Sequence, residues 1–162
     1  SKSYLADQVN FTINKGTKDS VKPGMPVISH NGLLGIVYTS TENYSIVRTY
    51  KNVNLKIIVK LLNSGTPGIL KWNGTELIMQ GIPKTLQLKK GERIITSEIS
   101  SLIGINLPVG EVVKILNPES GLFNDILIEP YVDLNSTLNV FVMRMVQSKK
   151  VDNYELNYLK TK

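Results

Sequence analysis

Residues 21–37 read VKPGMPVISHNGLLGIV, and the fold turns on them. Pro23-Gly24 closes the loop Lys15–Gly24. The short apolar runs Met25–Ser29 and Leu33–Thr39 then flank Asn31-Gly32, the dipeptide that most favours a tight hairpin. The same strand-entry turn occurs a second time. Val21–Ser29 aligns with Leu88–Thr96 at an offset of 67 residues, and Leu34-Gly35-Ile36-Val37 aligns with Val109-Gly110-Glu111-Val112 at an offset of 75. Each copy puts one glycine where the chain turns in. A second opens the following strand, where a strong bend or a close backbone approach leaves no room for Cβ. The repeat predicts two similar β-modules joined near Ser64–Gly68. Because closing a sheet removes its edges, each module is expected to be a small barrel.

Composition supports this. Among 162 residues there is one alanine (Ala6), against 15 valines, 17 isoleucines and 11 threonines. β-Branched side chains lose rotamer freedom in helices and fit pleated sheets. The 15 asparagines and 12 glycines suit many tight turns. The expected class is all-β: two small barrels of about eleven short, mostly antiparallel strands with little helix. Besides those named, the runs Val9–Asn14, Tyr44–Tyr50, Asn54–Leu62, Gly68–Trp72, Thr75–Gln80, Glu92–Thr96, Pro108–Leu116, Leu122–Glu129 and Thr137–Met145 read as strands. Asn73-Gly74 marks a second hairpin.

The domain boundaries that follow are residues 9–66 for the first barrel and 67–135 for the second. Residues 136–146 carry a last strand, paired in the second module or returned to the first. Residues 147–162 read as a flexible tail.

Several chemistries are excluded. With no cysteine, disulfides, thiolate nucleophiles and Cys-ligated metals are impossible. The one histidine, His30, sits at a turn with no nucleophile or orienting acid nearby, so a trypsin-like double-barrel hydrolase is a weak alternative. Acidic residues are scattered singly, and no glycine loop of the phosphate-binding kind occurs. No cofactor and no small-molecule substrate are expected.

An OB-like nucleic-acid-binding barrel is the stronger alternative, since the chain carries net charge +6. Only Arg48, Arg93 and Arg144 among 19 basic residues offer the bidentate fork that clamps phosphates and reads guanine, however. Tyr38, Tyr44 and Tyr50 could stack bases, but their spacing also suits half-buried strand residues. The expectation is no nucleic acid. At 41% hydrophobic the chain is too apolar to be disordered, and no uninterrupted apolar run is long enough to cross a membrane.

Three segments in order carry a family resemblance: Ile13–Val37, Gly68–Gly74, and Lys90–Ser97 with Leu107–Val112. Together they resemble the extracytoplasmic region of the bacterial rod-shape-determining MreC family, in its Bacteroidetes-like form, from about Tyr4 to about Val142. Two departures stand out. Thr96-Ser97-Glu98 replaces the family's usual Thr-Ser-Gly, and Ile103–Leu107 replaces a Phe-Pro-x-Gly stretch.

The resemblance implies a non-enzymatic scaffold of the cell-elongation complex. Family members have a short cytoplasmic N-terminus, one membrane helix and a coiled coil before two barrels on the extracytoplasmic (periplasmic) face of the inner membrane. Residues 1–8 would then be the end of the linker after the coiled coil. The implied partners are further copies of the chain (dimer or filament), a class B penicillin-binding transpeptidase, RodA, MreD, and MreB through the membrane segment. The candidate contact loops are His30-Asn31-Gly32, Asn73-Gly74, and the irregular stretch containing Ile99, Ile103, Ile105 and Leu107.

Overall fold

A computed structural model describes residues 8–98, 103–116, 121–137 and 139–144. Eleven strands fall within them: β1 (Asn10–Ile13), β2 (Pro26–Ser29), β3 (Gly32–Ser40), β4 (Ser45–Thr49), β5 (Lys56–Leu61), β6 (Pro67–Trp72), β7 (Leu77–Pro83), β8 (Arg93–Thr96), β9 (Pro108–Leu116), β10 (Phe123–Pro130) and β11 (Phe141–Val142). The one helical element among the described residues is a 3-10 turn at Thr17–Asp19. All pairings are antiparallel. Strands β10-β7-β6-β5-β8-β9 close into a six-stranded barrel, and β1-β4-β3-β2-β11 form a five-stranded half-barrel with two free edges.

The repeat read from the sequence is a repeat of backbone hydrogen bonds. Gly24 N–H donates to Val37 O at 2.8 Å, and Gly91 N–H to Val112 O at 2.8 Å. The return bonds, Val37 N–H to Met25 O and Val112 N–H to Glu92 O, are both 2.9 Å. Gly24 and Gly91 hold φ of +90° and +82°, a left-handed region that a side chain would strain. At the second glycine of each copy, space is the constraint. A Cβ on Gly35 would lie 2.0 Å from Arg48 O, and one on Gly110 2.3 Å from Glu129 O. Both copies also skip one residue at the same place in the next ladder, Tyr38 in β3 and Val113 in β9.

One boundary differs from the sequence reading, and of the two places open to the last strand the return to the first module is the one observed. The join was expected near Ser64–Gly68, with β5 in the first module. Instead β5 pairs with β6 and β8, so the 62–66 turn lies inside the closed barrel. The chain leaves the half-barrel earlier, between Thr49 and Lys56. Conversely, β11 crosses back and pairs with β2 of the half-barrel. The two halves thus exchange their last strands. Alternation within a strand shows which face is apolar, but not which sheet will receive it; that depends on contacts far apart in the chain.

The crossing segments are tied to each other. Buried Tyr50, after β4, donates its hydroxyl to Val132 O, after β10, at 2.9 Å. Burial, with Asp133 nearby, pushes its phenol up to about 12. A single apolar core runs through both halves, from Phe11 and Val27 to Met79, Ile94 and Ile126.

The expected hairpins form with shifted turns. Residues His30 and Asn31 make the β2–β3 turn, and Gly32 already pairs with Ser29. Neither His30 nor Asn31 has positive φ, so this is not the mirror-image turn that Asn-Gly dipeptides favour. The β6–β7 loop takes four residues, Asn73–Glu76, because Asn73 Oδ1 accepts from the backbone N–H of both Thr75 and Glu76 at 2.9 and 2.8 Å. Of the expected strand Thr137–Met145, the described residues that form a strand are Phe141–Val142. Ile99, the residue 1–7 part of the linker and the 147–162 tail lie outside the described residues.

Candidate protein-contact surfaces

The sequence-chosen loops fall into two places. Gly32 is buried: a Cβ there would meet Pro108 O at 2.4 Å, so the β2–β3 turn sits directly on the start of β9. His30 and Asn31 remain exposed beside this contact. The irregular stretch leads into the same spot. Ile103 is fully buried and Leu107 nearly so, whereas Ile105 is exposed. Buried Thr96 fastens the loop: its hydroxyl donates to Ile105 O at 2.6 Å and accepts from Leu107 N–H at 2.7 Å. His30–Gly32 and Ile103–Leu107 therefore meet at the junction of the two sheets. Of this group, His30, Asn31 and Ile105 have side chains free to touch a partner, while Ile103 and Leu107 are core.

Asn73-Gly74 lies at the other end of the barrel. Register carries Pro108 across Ile95 and Lys60 to Pro67, the opposite end of β6 from Asn73. At the Asn73 end, Lys51 Nζ stands 5.6 Å from the Trp72 ring centroid.

Sequence reasoning passed over the apolar positions that face outward. Ile58 and Ile69 are direct cross-strand partners on the outside of the barrel, 37% and 45% exposed. A signal existed. Ile57-Ile58-Val59 is continuous rather than alternating, so one isoleucine had to face out. Polar groups border the pair: Gln80, opposite Ile69, donates to Asp125 Oδ2 at 3.4 Å, and Lys60 holds Glu98 at 2.7 Å. That ammonium keeps the Glu98 carboxyl below the usual carboxylate range. A second exposed apolar spot is Leu122-Phe123 at the start of β10, 81% and 58% exposed. Apolar spots rimmed by polar groups are what protein docking uses.

The tyrosines do not make one stacking face. Tyr50 is buried, and Tyr38 lies under the Arg48 guanidinium, 3.5 Å from its ring centroid. Among the described residues, no group of three His, Asp or Glu side chains is placed to hold a metal ion. Nor, among them, is any helix long and apolar enough to cross a membrane.

Comparison with known proteins agrees with this architecture. The family model described as rod shape-determining protein MreC, barrel core, matches residues 1–144. The cell shape-determining protein MreC of Listeria monocytogenes is 28% identical over 144 residues, covering 85% of this chain and 48% of the relative. The chain thus spans about half the length of that curated relative. Among solved structures, MreC from Pseudomonas aeruginosa superposes with TM-score 0.78 at 21% identity, covering 89% of this chain and 100% of the other. A chain from the complex between penicillin-binding protein PBP2 and MreC of Helicobacter pylori superposes with TM-score 0.68 at 17% identity, covering 82% and 83%.

Proposed function

The chain belongs to the rod shape-determining MreC family, and from that premise we propose that it is a non-enzymatic scaffold on which bacterial cell-elongation proteins assemble. The observation that carries this reading is the family match over residues 1–144, which spans both modules. The role needs surface rather than reactive groups, and the Ile58–Ile69 pair on a closed, rigid barrel supplies such a surface.

The partner this reading favours is a class B penicillin-binding transpeptidase, by analogy with the Helicobacter pylori complex of PBP2 and MreC. Binding regulates such a synthase if the scaffold prefers one of its conformations, since differential affinity alone shifts the population. Self-association as a dimer or filament, together with contacts to RodA, MreD and (through a membrane segment) MreB, completes the proposal. The location is the extracytoplasmic face of the inner membrane, with an N-terminal helix as anchor.

The test is a pull-down of this chain with the transpeptidase ectodomain, paired with sedimentation at high protein concentration. A complex that weakens at least tenfold in Ile58→Asp supports the reading. No complex and no self-association would overturn it.

A further inference from the structure

The two halves correspond strand by strand, with one exception. β2, β3, β4 and β11 match β8, β9, β10 and β5. Leu62 N–H donates to Arg93 O as Met143 N–H donates to Pro26 O, both at 2.9 Å. Tyr50 N–H donates to Leu34 O as Tyr131 N–H donates to Val109 O, both at 3.0 Å. β1 matches β7: Thr12 and Ile13 oppose Ile46 and Ser45 of β4, as Ile78 and Met79 oppose Leu127 and Ile126 of β10. Among the described residues β6 has no counterpart. In the closed barrel it lies between β5 and β7. The matching place in the half-barrel is the space between edge strands β11 and β1.

That space is open. A groove of about 670 Å³ lies there, with Ile13, Asn14 and Val21 on one side and Val140, Phe141 and Val142 on the other. Phe141 is 58% exposed; its match in the barrel, Lys60, pairs with Pro67 of β6. The backbone is aimed correctly too. Thr49 N–H donates to Val9 O, so ladder alternation turns the peptide groups of Phe11 and Ile13 toward β4 and those of Thr12 toward the groove.

We propose that the β1–β11 groove receives an extended segment of a partner protein as a sixth strand, antiparallel to both edges, with apolar residues facing inward and acidic residues at its flanks. Charge selects the occupant. Lys15, Lys18 and Arg144 line the groove against one acidic lining residue, Asp19; Lys15 engages Asp19 at 3.5 Å, which leaves Lys18 and Arg144 as the net positive charge of the rim. The chain's own continuation, residues 145–162, brings four lysines against Asp152 and Glu155, and a second copy brings net +6. Both carry the wrong sign for this rim. Strand addition supplies main-chain hydrogen bonds for affinity and alternate side chains for selectivity. This site goes beyond the scaffold reading and rests on it only in taking the occupant to be a protein.

The test uses the full chain and two fluorescent synthetic peptides patterned on β6, DDGILDWD and KKGILKWK. Saturable binding of the acidic peptide, at least tenfold tighter than the basic one, is expected. Slowed amide exchange should be confined to residues 10–14 and 140–142. Thr12→Pro removes one groove-facing N–H and should weaken binding at least tenfold. Phe141→Asp, an exposed position that leaves the core intact, should do the same if the proline variant fails to fold. Absence of saturable binding, equal binding of both peptides, or protection elsewhere would overturn the proposal. So would binding that appears only after truncation at Arg144, which makes the tail the occupant, or self-association abolished by peptide, which makes it a second copy. A transpeptidase complex that survives failure of the peptide test sinks the groove alone and leaves the scaffold standing.

Discussion

Leu61 and Val142 occupy matching positions, one in the closed barrel and one in the half-barrel. Each precedes an amide that bonds to the entry strand of its own sheet, Leu62 to Arg93 O and Met143 to Pro26 O, at the same distance. Leu61 is nevertheless fully buried, whereas Val142 is only half-buried. The backbone pattern is the same; what differs is the strand that β6 adds. A closed barrel removes both edges and shields each inward side chain from water on every side. A sheet one strand short leaves the residues nearest its edges partly wet. Burial at matching positions is therefore set by closure rather than by the repeat itself.

The repeat glycines should give the largest effects. Gly35→Ala and Gly110→Ala are each expected to cost about 3 kcal/mol, because the new Cβ would overlap a carbonyl oxygen in the neighbouring strand. Urea unfolding measures this. If closure stiffens the sheet, Gly110→Ala costs more than Gly35→Ala even though the Gly35 approach is the tighter; the reverse order would break the comparison.

Next come Leu61→Ala, at about 3 kcal/mol, and Val142→Ala, at about 1 kcal/mol, a ratio that follows burial. Equal losses in thermal or urea melts would mean that the half-barrel core is as dry as the other.

The crossing tyrosines sharpen the comparison further. Tyr50 keeps its proton to about pH 12 when folded, while an unfolded tyrosine loses it near 10. The folded state thus binds more protons between these values, and stability falls as pH rises from about 10 to 12, by roughly 2 kcal/mol at the limit. Tyr50→Phe should flatten that fall while costing about 1 kcal/mol at neutral pH through its lost hydrogen bond to Val132. Its match, Tyr131, has a buried hydroxyl with no hydrogen-bond partner among the described residues. Tyr131→Phe is expected to be neutral or slightly stabilising, and a loss above about 1 kcal/mol would contradict that.

Smallest is Glu98→Gln. It removes an exposed ion pair with Lys60 and should change stability little at any salt concentration.

Several of these features were legible in the residue order. Gly24 and Gly91, Gly35 and Gly110 are recognisable from spacing alone, since a backbone requirement for glycine needs no knowledge of distant neighbours. Pro108–Leu116 has the bounds its sequence suggests. The contact loops were less readable. Ile103 and Leu107 look like exposed loop residues until Thr96 is seen to draw that stretch into the junction, and Ile58 is apolar in either orientation. The hairpin turn at His30-Asn31 also moved by one residue, because Gly32 is needed where Pro108 presses on the backbone.

By itself the sequence determined the all-β class and the doubled strand-entry motif, because composition, two-residue alternation and glycine spacing are local and survive without a partner. Only the tertiary structure decided that β5 and β11 change places, that one sheet closes while the other stays one strand short, and that a basic-rimmed groove results. Those outcomes depend on which sheet edge each strand finds, and an edge is satisfied equally well by any strand of matching pattern until long-range packing selects one.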